Sequence, residues 1–216
     1  VPQAQVPTIA AQGSSDGAGQ SCSKAGCERV GGARMTPQPK IFSRTWAMPN
    51  RDTFSVPQIG SFVARHIAGL ETVVDPFSRN KHLAKWTNDI NPNTTAEYHM
   101  EARAFLAMLI ELGVKADAII FDPPYSPRQV SECYAACGLT TTMKDTQTGN
   151  MKKECRNLMR KIVKRGGKVL TFGWNTVGMG PGWDMEELLL VCHGGDHNDT
   201  ICIAEVQNTQ QGDMFE

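Results

Sequence analysis

The sequence predicts an α/β fold with a mostly parallel sheet and an antiparallel hairpin strand near the C-terminus. Short apolar runs typical of buried strands alternate with longer segments whose apolar residues recur at helical spacing. Parallel neighbours need a long crossover connection, so strands separated by helices favour a parallel sheet. Two closing apolar runs joined by a segment rich in Gly, Asn and Asp predict the hairpin.

The first half of the chain contributes two predicted helices and three predicted strands. Residues 58–70 carry apolar side chains at helical spacing, and the apolar run over 72–75 predicts a strand that the following proline stops. A weaker strand over 86–90 and another short strand over 96–100 come next. Residues 101–112 regain the helical spacing and predict the second helix.

The second half repeats the alternation. Residues 116–121 form the clearest buried strand, and the two prolines after Asp122 allow neither strand nor helix to continue. A polar loop over 138–150 precedes an amphipathic helix over 151–165, which two glycines are expected to end. The remaining predicted elements are a helix over 127–137, a strand over 168–172 and the hairpin strands 188–191 and 200–206, with the antiparallel strand at the sheet edge.

Composition divides the 216-residue chain into three parts. The first 40 residues contain no aromatic side chain and are rich in Gly, Ser, Gln, Ala and Pro, which predicts a disordered extension. Residues 41–206 are expected to form one domain, and residues 207–216 a flexible tail. No apolar run approaches the roughly 20 residues of a membrane helix, and the N-terminus has no signal-peptide pattern, so we expect a soluble protein with no membrane partner.

The seven cysteines are scattered and odd in number, which indicates a reducing compartment rather than a disulfide framework. Cys22 and Cys27 suit zinc, but no second close pair of ligands follows them. Cys192, His193 and His197 surround the hairpin turn, where we interpret them as structural residues. The sequence therefore predicts no metal site.

Acidic residues recur where the predicted strands end. Asp75, Asp89, Glu101 and Asp122 each lie at or just after such an end. Ligands of open parallel sheets bind beyond the carboxyl ends of the strands, so these acids favour a cationic, hydroxyl-bearing ligand. No glycine-rich phosphate loop is present, which argues against an ordinary nucleoside triphosphate.

Basic residues are concentrated between residues 152 and 168, which hold eight basic residues and one acid in a chain of zero net charge. Such a segment is either a phosphate-binding surface or a solvated helix face.

The segment Phe121-Asp-Pro-Pro-Tyr125, placed after a buried strand, resembles the catalytic motif of S-adenosylmethionine-dependent amino-methyltransferases. These enzymes methylate the exocyclic amine of adenine or, less often, of cytosine. The resemblance covers residues 51–206 and is strongest to the compact DNA adenine-N6 methyltransferases of phages and mobile elements. It implies a Rossmann-like class I methyltransferase fold, S-adenosyl-L-methionine as cofactor, DNA as substrate, and the cytoplasm of a bacterial or phage-infected cell.

The resemblance also implies roles for individual residues. Glycines usually follow the first-strand Asp-Pro-Phe of the family, but Ser78-Arg79-Asn80 stands there in this chain. The implied catalytic residues are Asp122, Pro123, Pro124 and Tyr125, and the implied cofactor-binding residues are Thr53, Phe54, Asp75, Pro76, Phe77, Asp89, Glu101 and Asp122.

The chemistry explains why these enzymes use such a motif. The lone pair of an exocyclic amine is delocalised into its ring, so the amine is a poor nucleophile. If Asp122 and the Pro123 carbonyl each accept one amine hydrogen, the lone pair is freed and oriented. The base must be flipped out of a duplex, and Tyr125 offers a ring for it to stack on, worth about 1–3 kcal/mol.

Nucleic-acid contacts are expected near the same edge of the sheet. Trp174 and Trp183 are interpreted as core residues or as part of the wall of a base pocket. The candidates for phosphate contacts are Arg128, Lys144, Lys152, Lys153 and Arg156.

A separate resemblance lies in the tail, where Gln211, Asp213, Met214 and Phe215 match the pentapeptide that docks bacterial replication proteins on the sliding clamp.

Two alternatives stay open. The same chemistry could act on adenine in RNA or on the N4 amine of cytosine in DNA, although the family usually carries Ser rather than Asp at the first motif position for cytosine. A lapsed methyltransferase that only binds nucleic acid is a reading of another class, and the Ser78-Arg79-Asn80 departure supports it.

Overall fold

The computed structural model describes residues 40–140, 148–175 and 178–208. The described strands are Ile41–Trp46 (β1), Val73–Asp75 (β2), Trp86–Thr87 (β3), Ala116–Phe121 (β4), Val163–Gly173 (β5), Trp183–Cys192 (β6) and Thr200–Gln207 (β7). The described helices are Pro57–Ile67 (α1), Ala102–Glu111 (α2), Pro127–Ala136 (α3) and Thr148–Ile162 (α4), with a 3₁₀ turn at Thr53–Ser55 before α1. Within these residues no helix combines the length and the apolar character that a membrane span requires.

The strands form one sheet in the order β1-β6-β7-β5-β4-β2-β3. β2 pairs in parallel with β3 and β4, β4 with β5, and β1 with β6, whereas β7 is antiparallel to both β5 and β6. The predicted α/β class, the mostly parallel sheet and the antiparallel hairpin strand are therefore confirmed.

The position of the hairpin strand corrects one expectation. β7 does not lie at the sheet edge, because β6 lies beside it and β1 covers β6 in turn. The sequence analysis missed β1, since Ser43, Arg44 and Thr45 interrupt its apolar residues and leave no continuous buried run. Its Phe42 and Trp46 rings are 64% and 60% exposed.

Three predicted boundaries were also wrong. The strand expected over 86–90 ends at Thr87, and the strand expected over 96–100 is reduced to a single bridge between Asn88 and Tyr98. The helix expected to run to residue 165 ends at Ile162, and β5 begins at the next residue.

Gly166 and Gly167 lie inside β5 rather than at a helix end. The β4 partner shifts from Val163 to Lys168 within two β4 residues, so the intervening segment bulges out of the ladder. A Cβ on Gly167 would lie 2.6 Å from the Val163 side chain, which explains the glycine there. The glycine pair therefore marks a bulge, which local sequence pattern does not distinguish from a helix end.

Helices cover both faces of the sheet. On one face Phe105, Leu106 and Leu109 of α2 and Met159 of α4 pack with alternate residues of β4 such as Ile119. The opposite face is covered by the apolar side of α1, namely Ile59, Phe62 and Val63, which packs on Ile120, Leu170 and Phe172. This two-sided burial explains why β4 is apolar from Ala118 to Phe121 and ends abruptly at an acid.

Phe105→Ala is expected to lower the free energy of unfolding by about 3–5 kcal/mol, because it removes a ring with no exposed surface from the α2 face of the sheet. Urea denaturation followed by circular dichroism measures the loss. Phe42→Ala makes the same chemical change at an exposed ring and should stay within about 0.5 kcal/mol of the parent. Equal losses in the two variants would contradict this description of the core.

Candidate active site

The carboxyl ends of two neighbouring parallel strands place two acidic residues side by side. β2 ends at Asp75, and Asp122 follows the last residue of β4, the strand that pairs with β2. The charges of Asp122 and Asp89 both act on Asp75. The structure thus brings together three of the four acids that the sequence placed at this edge.

Asp75 is the most deeply buried of these acids. The residue has no exposed surface, and its Oδ1 accepts a hydrogen bond of 3.0 Å from the Phe77 amide. Burial, with smaller contributions from Asp122 and Asp89, raises the pKa of this carboxyl to about 8. Its Oδ2 is buried without a hydrogen-bond partner among the described residues. An orphaned buried oxygen of this kind suits a ligand that donates a hydrogen bond or carries positive charge.

Asp89 is half-buried and is oriented by main-chain donors. Its Oδ2 accepts from the Arg79 amide at 3.2 Å and its Oδ1 from the Asn91 amide at 2.8 Å. The carboxylate keeps unused lone pairs and some exposure, so it can still accept hydrogen bonds from the hydroxyls of a ligand.

Glu101 caps the first turn of α2. Its carboxylate accepts from the Arg103 amide at 2.9 Å and from Arg103 Nε at 3.0 Å, and Arg103 continues to Glu154 of α4 at 2.7 Å. These contacts give Glu101 a structural role in addition to the cofactor role that the resemblance implies.

Asn88 is a residue whose role the sequence analysis missed. It has no exposed surface, and its side-chain amide donates to the Pro76 and Met100 carbonyls at 3.0 Å each while its Oδ1 accepts from the Met100 amide at 3.1 Å. Asn88 therefore fixes the turn after β2 against the segment that leads into α2. A polar residue beside Asp89 was the only signal in the sequence, and it does not reveal these distant partners.

Asp122 lies between this acid-lined cleft and the side chains of the Asp-Pro-Pro-Tyr motif. The residue keeps some exposed surface, but its carboxyl group lies deep among neighbouring atoms, and burial raises its pKa. Hydrogen bonds from the Tyr125 and Thr53 hydroxyls and the charge of Arg79 act in the opposite direction and favour the ionised form.

Tyr125 is held by its main chain and by its hydroxyl. Its amide donates to Gln129 Oε1 at 2.6 Å, and Ser126 caps the start of α3 just after it. Burial, followed by the negative charge of Asp122, raises the pKa of the phenol well above its usual value. The hydroxyl therefore stays protonated and donates to Asp122 Oδ1.

The residues expected to bind the cofactor lie around the same cleft. Thr53 belongs to the 3₁₀ turn and reaches Asp122, while Phe54 packs edge-on against Phe172 with a centroid separation of 5.1 Å. Phe77 packs edge-on against Phe121 at 5.7 Å. The cleft is thus bounded by the 3₁₀ turn, the turn after β2 and the end of β4.

A cavity of about 170 Å³ adjoins the motif on the side of β5 and α4. This volume is below the roughly 300–1,000 Å³ of pockets that hold a whole drug-sized molecule, and it suits a single ring system. The residues that line it include Pro123, Tyr125, Lys152, Arg156, Thr171 and Asn175. Pro124 is half-buried, and Trp174 packs edge-on against the Tyr125 ring at 5.6 Å.

The basic residues of α4 divide between the cavity and the surface. Lys152 and Arg156, one helical turn apart, line the cavity, and Lys152 Nζ lies 5.9 Å from the centroid of the Tyr125 ring. Burial lowers the pKa of both side chains. Lys153, in contrast, is exposed, as is Arg128, which pairs with Glu132 at 2.7 Å.

Arg160 has a structural role that the sequence analysis missed. Its guanidinium donates to the Pro181 carbonyl at 3.1 Å and to the Met179 carbonyl, while Glu205 of β7 accepts from the Met179 amide at 2.6 Å. A Cβ on Gly178, whose φ is 51°, would lie 2.6 Å from a Glu205 carboxylate oxygen. These contacts anchor the segment before β6 beside the cavity.

Other candidates from the sequence lie outside this site or outside the described residues. Both ring nitrogens of His193 are engaged, Nδ1 with the Ala47 carbonyl at 2.8 Å and Nε2 with Thr200 Oγ1 at 2.9 Å, and Trp183 is buried in the core. The candidates outside the described residues are Cys22, Cys27, Lys144, Gln211, Asp213, Met214 and Phe215, together with the expected extension up to residue 39.

No protein-family model and no curated protein matches the chain. Among solved structures the chain is similar to SMU.776, a proposed methyltransferase crystallised with SAH, with a TM-score of 0.50 and 13% identity over 68% of this chain and 47% of that one. The likeness is one of fold. It shows that the sheet and its helices have the Rossmann-like arrangement found in that protein.

Two further structures match less well. TrmN from Thermus thermophilus has a TM-score of 0.44 and 14% identity, and the match covers 70% of this chain and 49% of that one. YhhF from Escherichia coli, another proposed methyltransferase, has a TM-score of 0.44 and 9% identity, and the match covers 70% of this chain and 83% of that one. The chain spans about half the length of SMU.776 and of TrmN.

Asp75→Asn is expected to become progressively more stable than the parent protein as the pH rises from about 4 to about 8, in the absence of ligand. The pKa of the buried carboxyl is about 8, whereas that of an unfolded Asp is about 4, so the folded state holds a proton that the unfolded state has lost between these limits. The parent therefore loses stability as the pH rises through this window, and the uncharged Asn does not.

Urea denaturation at several pH values measures the difference. Asp196→Asn makes the same chemical change at an exposed position and serves as the control. A pH-independent difference for Asp75→Asn would show that Asp75 titrates normally.

Proposed function

We propose that the protein is an S-adenosylmethionine-dependent methyltransferase that acts on the N6 amine of adenine in DNA. The observation that carries the proposal is the position of Asp122, which follows β4 beside the buried Asp75 at the end of the paired strand β2 and directly precedes Pro123, which lines the ring-sized cavity together with Tyr125. An enzyme that methylates an amine needs such an arrangement, because the methyl donor and the amine must be bound next to each other on either side of one residue.

The cleft fits the cofactor in charge and in hydrogen-bonding capacity. Asp75 offers a buried oxygen without a partner, Asp89 offers unused acceptor sites for ribose hydroxyls, and Thr53, Phe54 and Phe77 lie around the same cleft. When bound, the cofactor supplies a methyl group on a positively charged sulfur. SMU.776, whose fold this chain shares, was crystallised with SAH, the demethylated form of that cofactor.

The motif residues act on the amine. Asp122 and the Pro123 carbonyl each accept one amine hydrogen, which localises the lone pair on nitrogen and aims it at the methyl donor. The protonated Tyr125 hydroxyl and the Thr53 hydroxyl donate to the Asp122 carboxylate, which has about four acceptor sites and so keeps capacity for the substrate amine. Asp122 need not be a strong base, because the methylated amine is a cation that loses its proton readily to water.

The features that support DNA lie at the cavity and in the sequence. Lys152 and Arg156 place positive charge at the cavity, where a flipped nucleotide would bring its phosphates. Exposed Lys153 and Arg128 suit contacts with the backbone further away. The resemblance to mobile-element enzymes and the clamp-like pentapeptide of the tail favour DNA over RNA, and docking on a sliding clamp remains part of this proposal.

Asp122→Ala is expected to lower the turnover number for methyl transfer by about 100-fold or more, because it removes one of the two acceptors for the amine hydrogens. The assay uses labelled S-adenosylmethionine with separate DNA and RNA substrates, and identifies the product nucleoside by mass spectrometry. Asp196→Ala, at an exposed position on the hairpin turn, is the matched control and should keep parental activity.

The product nucleoside decides between the candidates. N6-methyldeoxyadenosine that depends on Asp122 is the expected result. N6-methyladenosine in RNA, or N4-methylcytosine, would correct the substrate while retaining the chemistry. Binding of the cofactor without methylation of either polymer would favour a lapsed binding module and contradict the proposal.

Lys152→Ala is expected to weaken binding of an oligonucleotide substrate more than Lys153→Ala does, because Lys152 lines the cavity and its neighbour points to solvent. If Lys152 neutralises one phosphate, its loss should also lower the slope of log affinity against log salt by about one. Fluorescence anisotropy at several salt concentrations measures both quantities. Equal effects of the two substitutions would show that α4 contributes only diffuse charge.

A further inference from the structure

Arg79 combines an unfavourable main-chain conformation with a well-placed side chain. Its φ is 52°, and among the described residues it is the one non-glycine residue with a positive φ. Glycine would adopt this conformation without steric cost, whereas an L-residue pays roughly 1–2 kcal/mol. The side chain therefore has to offset a cost that a glycine would avoid.

The contacts of Arg79 connect three segments around the cleft. Its Nη1 donates to the Arg51 carbonyl at 2.7 Å, next to the 3₁₀ turn, and its amide donates to Asp89 Oδ2 at 3.2 Å, beyond β3. Arg79 itself belongs to the turn after β2. The Arg79 side chain is exposed, and its hydrogen bond to the Arg51 carbonyl holds the guanidinium beside the 3₁₀ turn.

The charge of Arg79 acts on the acids of the cleft. It interacts with the carboxyl groups of Asp52 and Asp122. Lys81 reinforces the same side of the cleft through Asp52 Oδ2 at 2.9 Å and Ser55 Oγ at 3.1 Å. The charge of Arg79 acts on Asp122 from this side, and the charge of Lys152 acts on it from the cavity side. The Arg51 carbonyl that binds the guanidinium lies two residues before Thr53, whose hydroxyl donates to Asp122, the residue proposed to hold the reacting amine.

We infer that Arg79 is a built-in cation of the cofactor cleft whose charge weakens the binding of the positively charged methyl donor relative to that of its neutral demethylated product. The inference rests on the proposed function, since it concerns the same cleft. S-adenosylmethionine and S-adenosylhomocysteine differ at sulfur, where the first carries a positive charge that the second lacks. A fixed positive charge nearby repels only the first.

The inference predicts a ratio rather than a single affinity. Relief of main-chain strain, or a change in the shape of the cleft, alters the binding of both ligands, and such common effects cancel in the ratio of the two dissociation constants. The electrostatic effect does not cancel. Its removal should favour S-adenosylmethionine over S-adenosylhomocysteine by on the order of tenfold.

The test measures both dissociation constants by isothermal titration calorimetry on the full chain without nucleic acid. Arg79→Gln removes the charge and keeps a long polar side chain, and Arg79→Gly removes the charge together with the strain. Both should lower the ratio of the S-adenosylmethionine constant to the S-adenosylhomocysteine constant. Arg79→Lys keeps the charge and should keep the parental ratio.

Arg51→Ala is the matched control, because the hydrogen bond from Arg79 uses the main-chain carbonyl of residue 51 and survives the substitution. Its ratio should equal that of the parent. If both ligands bind and Arg79→Gln and Arg79→Gly leave the ratio unchanged, the inference is wrong while the proposed function stands. If the parent binds neither ligand, the cofactor assignment fails and the inference fails with it.

Discussion

The burial of acidic groups at the carboxyl edge of the sheet is the constraint on which the rest of the site depends. β2 and β4 are parallel neighbours, so the residues at their ends, Asp75 and Asp122, necessarily lie close together in a poorly solvated place. Like charges that share such a place destabilise each other. Asp122 is supported by Tyr125, Thr53 and the charge of Arg79, whereas one oxygen of Asp75 has no partner among the described residues. The ligand-free protein therefore keeps Asp75 protonated up to about pH 8, and a cationic, hydrogen-bonding ligand would favour its ionised form.

The second half of the site depends on how α4 distributes its charges. α4 turns its apolar side chains toward the sheet, and Lys152, Arg156 and Arg160 are half-buried. Arg160 and Glu205 hold the segment before β6, and this leaves Lys152 and Arg156 beside the cavity. The cavity is thus walled by Pro123 and Tyr125 of the Asp-Pro-Pro-Tyr motif on one side and by positive charge on the other. That combination suits a ring attached to a phosphate backbone better than it suits a free base.

Much of the fold follows from the sequence, because its strongest signals are local. The β4 strand and the start of α3 at Pro127 were predicted to the residue, since the apolar run from Ala118 to Phe121 and the two prolines after it leave little choice. β1 and the bulge at Gly166 were not predicted from the sequence, because their conformations depend on partners far away in sequence. The same limit applies to the site. The spacing of strand ends indicated the acids, but the roles of Asn88 and Arg160 rest on contacts with distant main-chain carbonyls, which no local pattern reveals.

The central claim is that the acid-lined cleft and the ring-sized cavity are two halves of one methyl-transfer site that meet at Asp122. A crystal structure of the protein with S-adenosylhomocysteine tests it most directly. The account predicts a ligand in the cleft, with its ribose hydroxyls on Asp89, a donor group on Asp75 Oδ2 and its sulfur on the side that faces Asp122. A ligand bound elsewhere, or a cleft that stays empty at saturating concentration, would contradict the account.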